Sequence, residues 1–271
     1  MSQITERLNE LVGNLDQLLA TLPYFGVEQE RLAPGEFEID ILVPRTAVRN
    51  SLGRLGAEFR ELEQILLPFV ELTTGSRPPL EIRSIGSSDF TLFLMTVPTT
   101  AWCLATGIDK VLAVYERILH IRQMKADLEN LDVADEPDVI DQAIQPLEDY
   151  ANRAMAKEVP EIAKELVSEF LSERLPAGRT FELEMAITKS LTAVAGRIDE
   201  GYNISVRTGP LPHPSAPEEE TEEEAKLARI VTGVQSKSKS LSYMNLSGSP
   251  ILSPPPSVES EVDDDGVGVD D

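Results

Sequence analysis

The stretch from Phe90 to Lys125 limits the possible folds of this chain more than any other. Phe90, Leu92 and Leu94 recur at every second position, as residues on one face of a strand do. From Pro98 the spacing becomes helical. At about 100° per residue, Val111, Leu112, Val114, Tyr115, Ile118, Leu119 and Ile121 cover about half of the helix circumference. A surface helix buries a narrower stripe, so this spacing predicts a central helix with neighbours on more than one side. Arg122 and Lys125 fall in the same angular sector as Val111 and Ile118. Either the core ends there or the two cations meet acids.

A membrane span is the competing reading of the same stretch. Phe90 to Ile108 holds one acid-free, base-free run that nears the length a bilayer requires. Thr91, Thr96, Thr99, Thr100, Thr106, a proline and a glycine interrupt it, and Asp109–Lys110 close it. A strand followed by a helix fits better. Of the 271 residues 41% are hydrophobic and only 5% aromatic, so the core must be built mostly from Leu, Ile, Val and Ala. A net charge of −23 argues against a nucleic-acid surface, and against anionic membranes. The single Cys103 permits no internal disulfide, and Met1 to Asn9 carries no signal-peptide pattern. A cytoplasmic, reducing location is expected.

On the N-terminal side, Ile4, Leu8, Leu11, Leu15, Leu18 and Leu22 form a helical seam. Phe37, Ile39, Ile41 and Val43 form a half-buried strand closed by Pro44. Thr46 is read as the N-cap of a helix whose seam runs Val48, Leu52, Leu55, Phe59, Leu62, Leu66 and Phe69, ending or kinking near Pro68. Leu80 to Ile85 and Phe90 to Met95 flank Gly86-Ser87-Ser88-Asp89 as a β-hairpin. After the central helix, Pro137 opens a helix with a kink at Pro146, and Pro160 opens another. Thr180 caps a last helix that stops at Gly201, before a short strand at Tyr202, Ile204 and Val206.

These elements predict an α+β fold, mostly helical, with a small sheet of strand, hairpin and final short strand packed on a helical bundle. Residues 1–208 form one domain, divisible at most near 132–137. Residues 209–271 hold 13 acids and 4 bases among Pro- and Ser-rich runs, and read as a disordered acidic tail. Within that tail Glu222 to Val234 is the one helix candidate, with Leu227, Ile230, Val231 and Val234 along one side.

Chemistry is sparse. His213 lies between prolines in the tail, which leaves His120 for any folded site, and no Gly-x-Ser-x-Gly turn supplies a nucleophile. One cysteine and one usable histidine do not make a zinc site, and no calcium loop or phosphate-binding glycine motif occurs. No metal or cofactor is expected. Arg117, Arg122 and Lys125 are the charges that stand out. They either pair with neighbouring acids or form a docking patch for an acidic partner, the chain's own tail included.

Tyr115-Glu116-Arg117-Ile118-Leu119-His120-Ile121-Arg122 and the string from Arg197 through Gly201 and Tyr202 to Arg207 resemble segments of an uncharacterised bacterial protein family. That resemblance implies a bacterial cytosolic origin and assigns no activity and no site residue. The expected function is therefore a non-enzymatic interaction or assembly module with a protein partner, a second copy included. The alternative is an enzyme or small-ligand-binding protein with a site at Ser87, Ser88 and His120, near the hairpin turn and the central helix.

Overall fold

The computed structural model describes Arg7, residues 11–14 and 17, and then 32–86, 90–129, 137–211, 221–241 and 250–253. The first strand, β1 (Phe37–Val43), is followed by a single turn of helix, α1 (Arg45–Val48), and by α2 (Leu52–Thr74). The expected cap at Thr46 and the unbroken seam from Val48 to Leu52 do not form. Arg49 and Asn50 both take positive φ, 46° and 53°, which breaks the helix and leaves Leu52 85% exposed. Pro68 neither ends nor breaks α2: it is buried in the core, and the helix runs on to a left-handed cap at Gly75.

The hairpin is as expected, with β2 (Glu81–Gly86) antiparallel to β3 (Phe90–Thr96). Ser87 to Asp89 lie outside the described residues. The central helix α3 (Pro98–Glu129) follows, then α4 (Pro137–Phe170). Pro160 does not open a separate helix. Ala151, Met155, Val159, Ile162, Ala163 and Leu166 form one buried seam through it, and burying that seam outweighs the roughly 3 kcal/mol cost of an interior proline. A 3₁₀ turn (Ala177–Arg179) leads into α5 (Thr180–Asp199), so Thr180 is the first helical residue rather than the cap. Gly201, at φ 94°, turns the chain into β4 (Asn203–Thr208).

The four strands are antiparallel in the order β2-β3-β1-β4. Ile39 stands opposite Leu94 and Val206, and Ile41 opposite Leu92 and Ile204, which gives the sheet its apolar face. Helix α3 is central: it contacts α2, α4, α5, β1 and β4. Val111, Tyr115 and Ile118 are at most 1% exposed. At Gly107 a Cβ would lie 3.0 Å from Leu166 and 3.1 Å from Leu191, so the missing side chain is what lets α4 and α5 close on α3. Arg197 ties α5 to α2 through Glu58 (2.7 Å) and Glu61.

The expected fold class holds: helices dominate and one small sheet packs with them. Two described segments past residue 209 pack on this body. Glu222 to Val234 belongs to a helix, α6 (Glu222–Leu241), started by a reciprocal box in which Glu224 N–H donates to Thr221 Oγ1 and Thr221 N–H to Glu224. This helix contacts α3 and β4 and buries Ile230, Val231 and Val234, with Gly233 against the Trp102 ring. Ile251, 3% exposed, joins the same core. Residues 212–220, 242–249 and 254–271, like 130–136, lie outside the described residues.

Candidate functional site

Tyr115, Ile118, Arg122 and Lys125 recur at three-four-three spacing on α3, so the seam that buries apolar side chains also carries the two cations inward. Arg122 and Lys125 are 5% and 6% exposed. Buried cations need acids, and the fold supplies them from the two neighbouring helices. Asp199, the last residue of α5 and 1% exposed, faces Arg122. Arg122 Nη1 donates to Asp199 Oδ1 (2.9 Å), to the Asp199 carbonyl (2.9 Å) and to the Tyr115 hydroxyl oxygen (2.8 Å). The Tyr115 hydroxyl in turn donates to Asp199 Oδ1. Burial, and then its bond to the Asp199 carboxylate, pushes the Tyr115 phenol above its ordinary range, so it stays a donor and is no nucleophile.

Asp199 Oδ2 points the other way. It accepts two consecutive main-chain N–H groups, from Ile251 (2.7 Å) and Leu252 (2.8 Å). Lys125 Nζ, held by Glu148 Oε1, donates to the carbonyl of Pro250 at 3.0 Å. On α4, Asn152 completes the set. Its amide nitrogen donates to the Glu148 carbonyl (2.8 Å) and the Ile251 carbonyl (3.4 Å), and its amide oxygen accepts from Ser253 N–H (2.8 Å). Residues Pro250 to Ser253 are thus held through their backbone in a cleft made by α3, α4 and α5, while the Ile251 side chain enters the core.

The residues singled out from the sequence fall in different places. Arg122 and Lys125 are brought together in this cleft, each with an acid of the same chain. Arg117 is exposed and pairs with Glu158 at 2.6 Å. His120 is exposed on α3, and Ser87 and Ser88 lie outside the described residues. Cys103 is fully buried, and burial pushes its thiol up, away from reactivity. Among the described residues no group of three or more His, Cys, Asp or Glu is placed to hold a metal ion. No described helix is long and apolar enough to cross a membrane.

Sequence reasoning missed Asp199, Asn152 and Ile251. A signal existed for the last: Ile251-Leu252 is an apolar pair between prolines in an otherwise polar tail. Asp199 gave only the oddity of an acid at a helix C-terminus, where the dipole disfavours one.

Two other features lie outside this cleft. An apolar cavity of about 210 Å³ lies between α2 and the hairpin, lined by Phe59, Leu62, Leu80, Ile82, Leu92 and Leu94, with Arg60 and Glu63. On β1, Glu38 and Asp40 share Arg207, and Arg83 lies 3.7 Å from Glu38. Asp40 is pushed up to about 7, chiefly by burial, with Arg207 opposing and Glu38 adding to the rise. Comparison of the chain with protein-family models, with curated proteins and with solved structures finds no match.

Proposed function

We propose that this chain is a non-enzymatic interaction module that works in the cytosol by gripping segments of protein chain. The observation that carries this reading is the cleft at Asp199, Lys125 and Asn152, which holds four residues of backbone, bent at Leu252, by five hydrogen bonds. Its polar groups are arranged for binding: the carboxylate, ammonium and amide are each occupied by main-chain partners, and the phenol beside them is held as a donor. Such main-chain recognition with one buried side-chain anchor is a recurrent way of holding peptides.

Immobilised full-length protein should capture a partner, or a second copy of itself, that rebinds as purified components. A chain that stays monomeric by light scattering and reconstitutes with no captured protein overturns the reading. The second reading, a small-ligand-binding protein or enzyme, draws support from the apolar cavity between α2 and the hairpin. A melting shift with a metabolite that is lost on Leu92→Trp, which fills that cavity, would favour it.

A further inference from the structure

From the way Pro250 to Ser253 is held, we infer that the cleft of α3, α4 and α5 is a receptor for short bent peptide segments from a partner chain, and that residues 250–253 are its resident competitor. The inference rests on the interaction-module reading above and names its ligand class and its control.

The cleft is built without help from the segment that fills it. Asp199 is fixed by Tyr115 and Arg122 through Oδ1, which leaves Oδ2 aimed at the segment. Lys125 is fixed by Glu148 Oε1, and Asn152 by the Glu148 carbonyl. When the segment leaves, these groups keep their own partners and remain aimed into the opening. That is a preorganised site, whose ligand does not have to supply the ordering.

The bonds also define what fits. N–H groups are required at the positions of Ile251, Leu252 and Ser253, so proline is barred from all three. At position 250 only the carbonyl is used, so proline is accepted there. The chain's own sequence obeys this rule: Pro250 and Pro254 bracket three residues that each donate. The anchor position takes a branched aliphatic side chain, since Ile251 is 3% exposed within the core. The ligand class is therefore a short segment that bends after an aliphatic anchor, with three consecutive N–H groups to donate and freedom for proline on either side.

A tethered competitor acts at an effective concentration of about millimolar. A free peptide should then bind weakly to the intact chain and well to a chain whose own segment has been disabled. The test uses a fluorescein-labelled peptide of residues 247–256 with the full-length chain and its Ile251→Asp variant, read by fluorescence anisotropy. The variant should bind the peptide at least about tenfold more tightly than the wild type. Adding Asn152→Ala to the variant should weaken that binding, and a peptide with Leu252→Pro should not bind. If Ile251→Asp loses its cooperative melt, Ile251→Ala carries the same comparison.

No binding to a variant that melts cooperatively overturns the inference, as does equal binding by both chains or by the proline-substituted peptide. Because the peptide reports on the cleft alone, its failure beside a reconstituted partner would sink only this inference. Peptide binding beside a failed pull-down would sustain it while sinking the wider reading.

Discussion

Asp199 carries four hydrogen bonds on its two carboxylate oxygens, from Tyr115, Arg122, Ile251 and Leu252. Of these, Arg122 alone supplies a compensating charge. Arg122→Met leaves a buried carboxylate without it, and should destabilise the protein by about 3–5 kcal/mol in urea denaturation. A loss below about 1 kcal/mol would mean that water or Lys125 takes over the carboxylate. Asp40 has the opposite problem: buried beside Glu38, it ionises only near pH 7 in the folded state, and its Oδ1 is buried without a hydrogen-bond partner. The unfolded chain releases that proton near pH 4, so between about pH 4 and 7 the folded state binds more protons. The Asp40 contribution to stability is therefore present below pH 4 and is lost as pH rises to 7. Asp40→Asn should flatten this part of the stability–pH profile relative to wild type, and an unchanged slope would contradict the assignment. Much at this scale was out of reach of the sequence. The angular position of Arg122 and Lys125 foretold either a core edge or acids, but Asp199 lies 77 residues from Arg122 and Glu148 lies 23 from Lys125. Nothing local encodes such pairings.

The elements were more open to reading, because periodicity is a local property. Half-girth apolarity located α3, and strict alternation located β1 and the hairpin. Proline was the weak guide: neither Pro68 nor Pro160 bounds a helix, because buried seams on either side outweigh one missing N–H. In the tail the apolar side of Glu222 to Val234 marked the helix, and the acids of Glu222 to Glu224 suit its first turn as well as they suit a solvated coil. If α6 is held by its apolar side, Val231→Asp should free it. Amides of 222–241 should then lose hydrogen-exchange protection while those of β1 keep theirs, and simultaneous loss of both would show that α6 is integral to global stability. At the crossing of α3 with α4 and α5, Gly107→Val forces a side chain against Leu166 and Leu191. A cost of about 1–3 kcal/mol is expected from overpacking, read as a lower midpoint in the same urea titration.

At the level of the whole molecule, a net charge of −23 on 271 residues opposes the compact state by self-repulsion. Added salt screens that repulsion over about 10 Å at 0.1 M. The melting temperature should therefore rise between low and moderate sodium chloride. A fall would show that the buried and half-buried ion pairs outweigh the global repulsion. The strand order bears on how the protein is made. β1 is synthesised first, yet it lies in the interior of the sheet, between β3 and β4. Its second neighbour leaves the ribosome about 160 residues later, roughly 8–30 s at ordinary elongation rates. Through that interval a strand of Phe37, Ile39, Ile41 and Val43 has a bare edge, the kind that recruits other nascent chains. The two carboxylates on its far face, Glu38 and Asp40, which gain Arg207 only when β4 arrives, give the waiting strand a charge that repels its own copies.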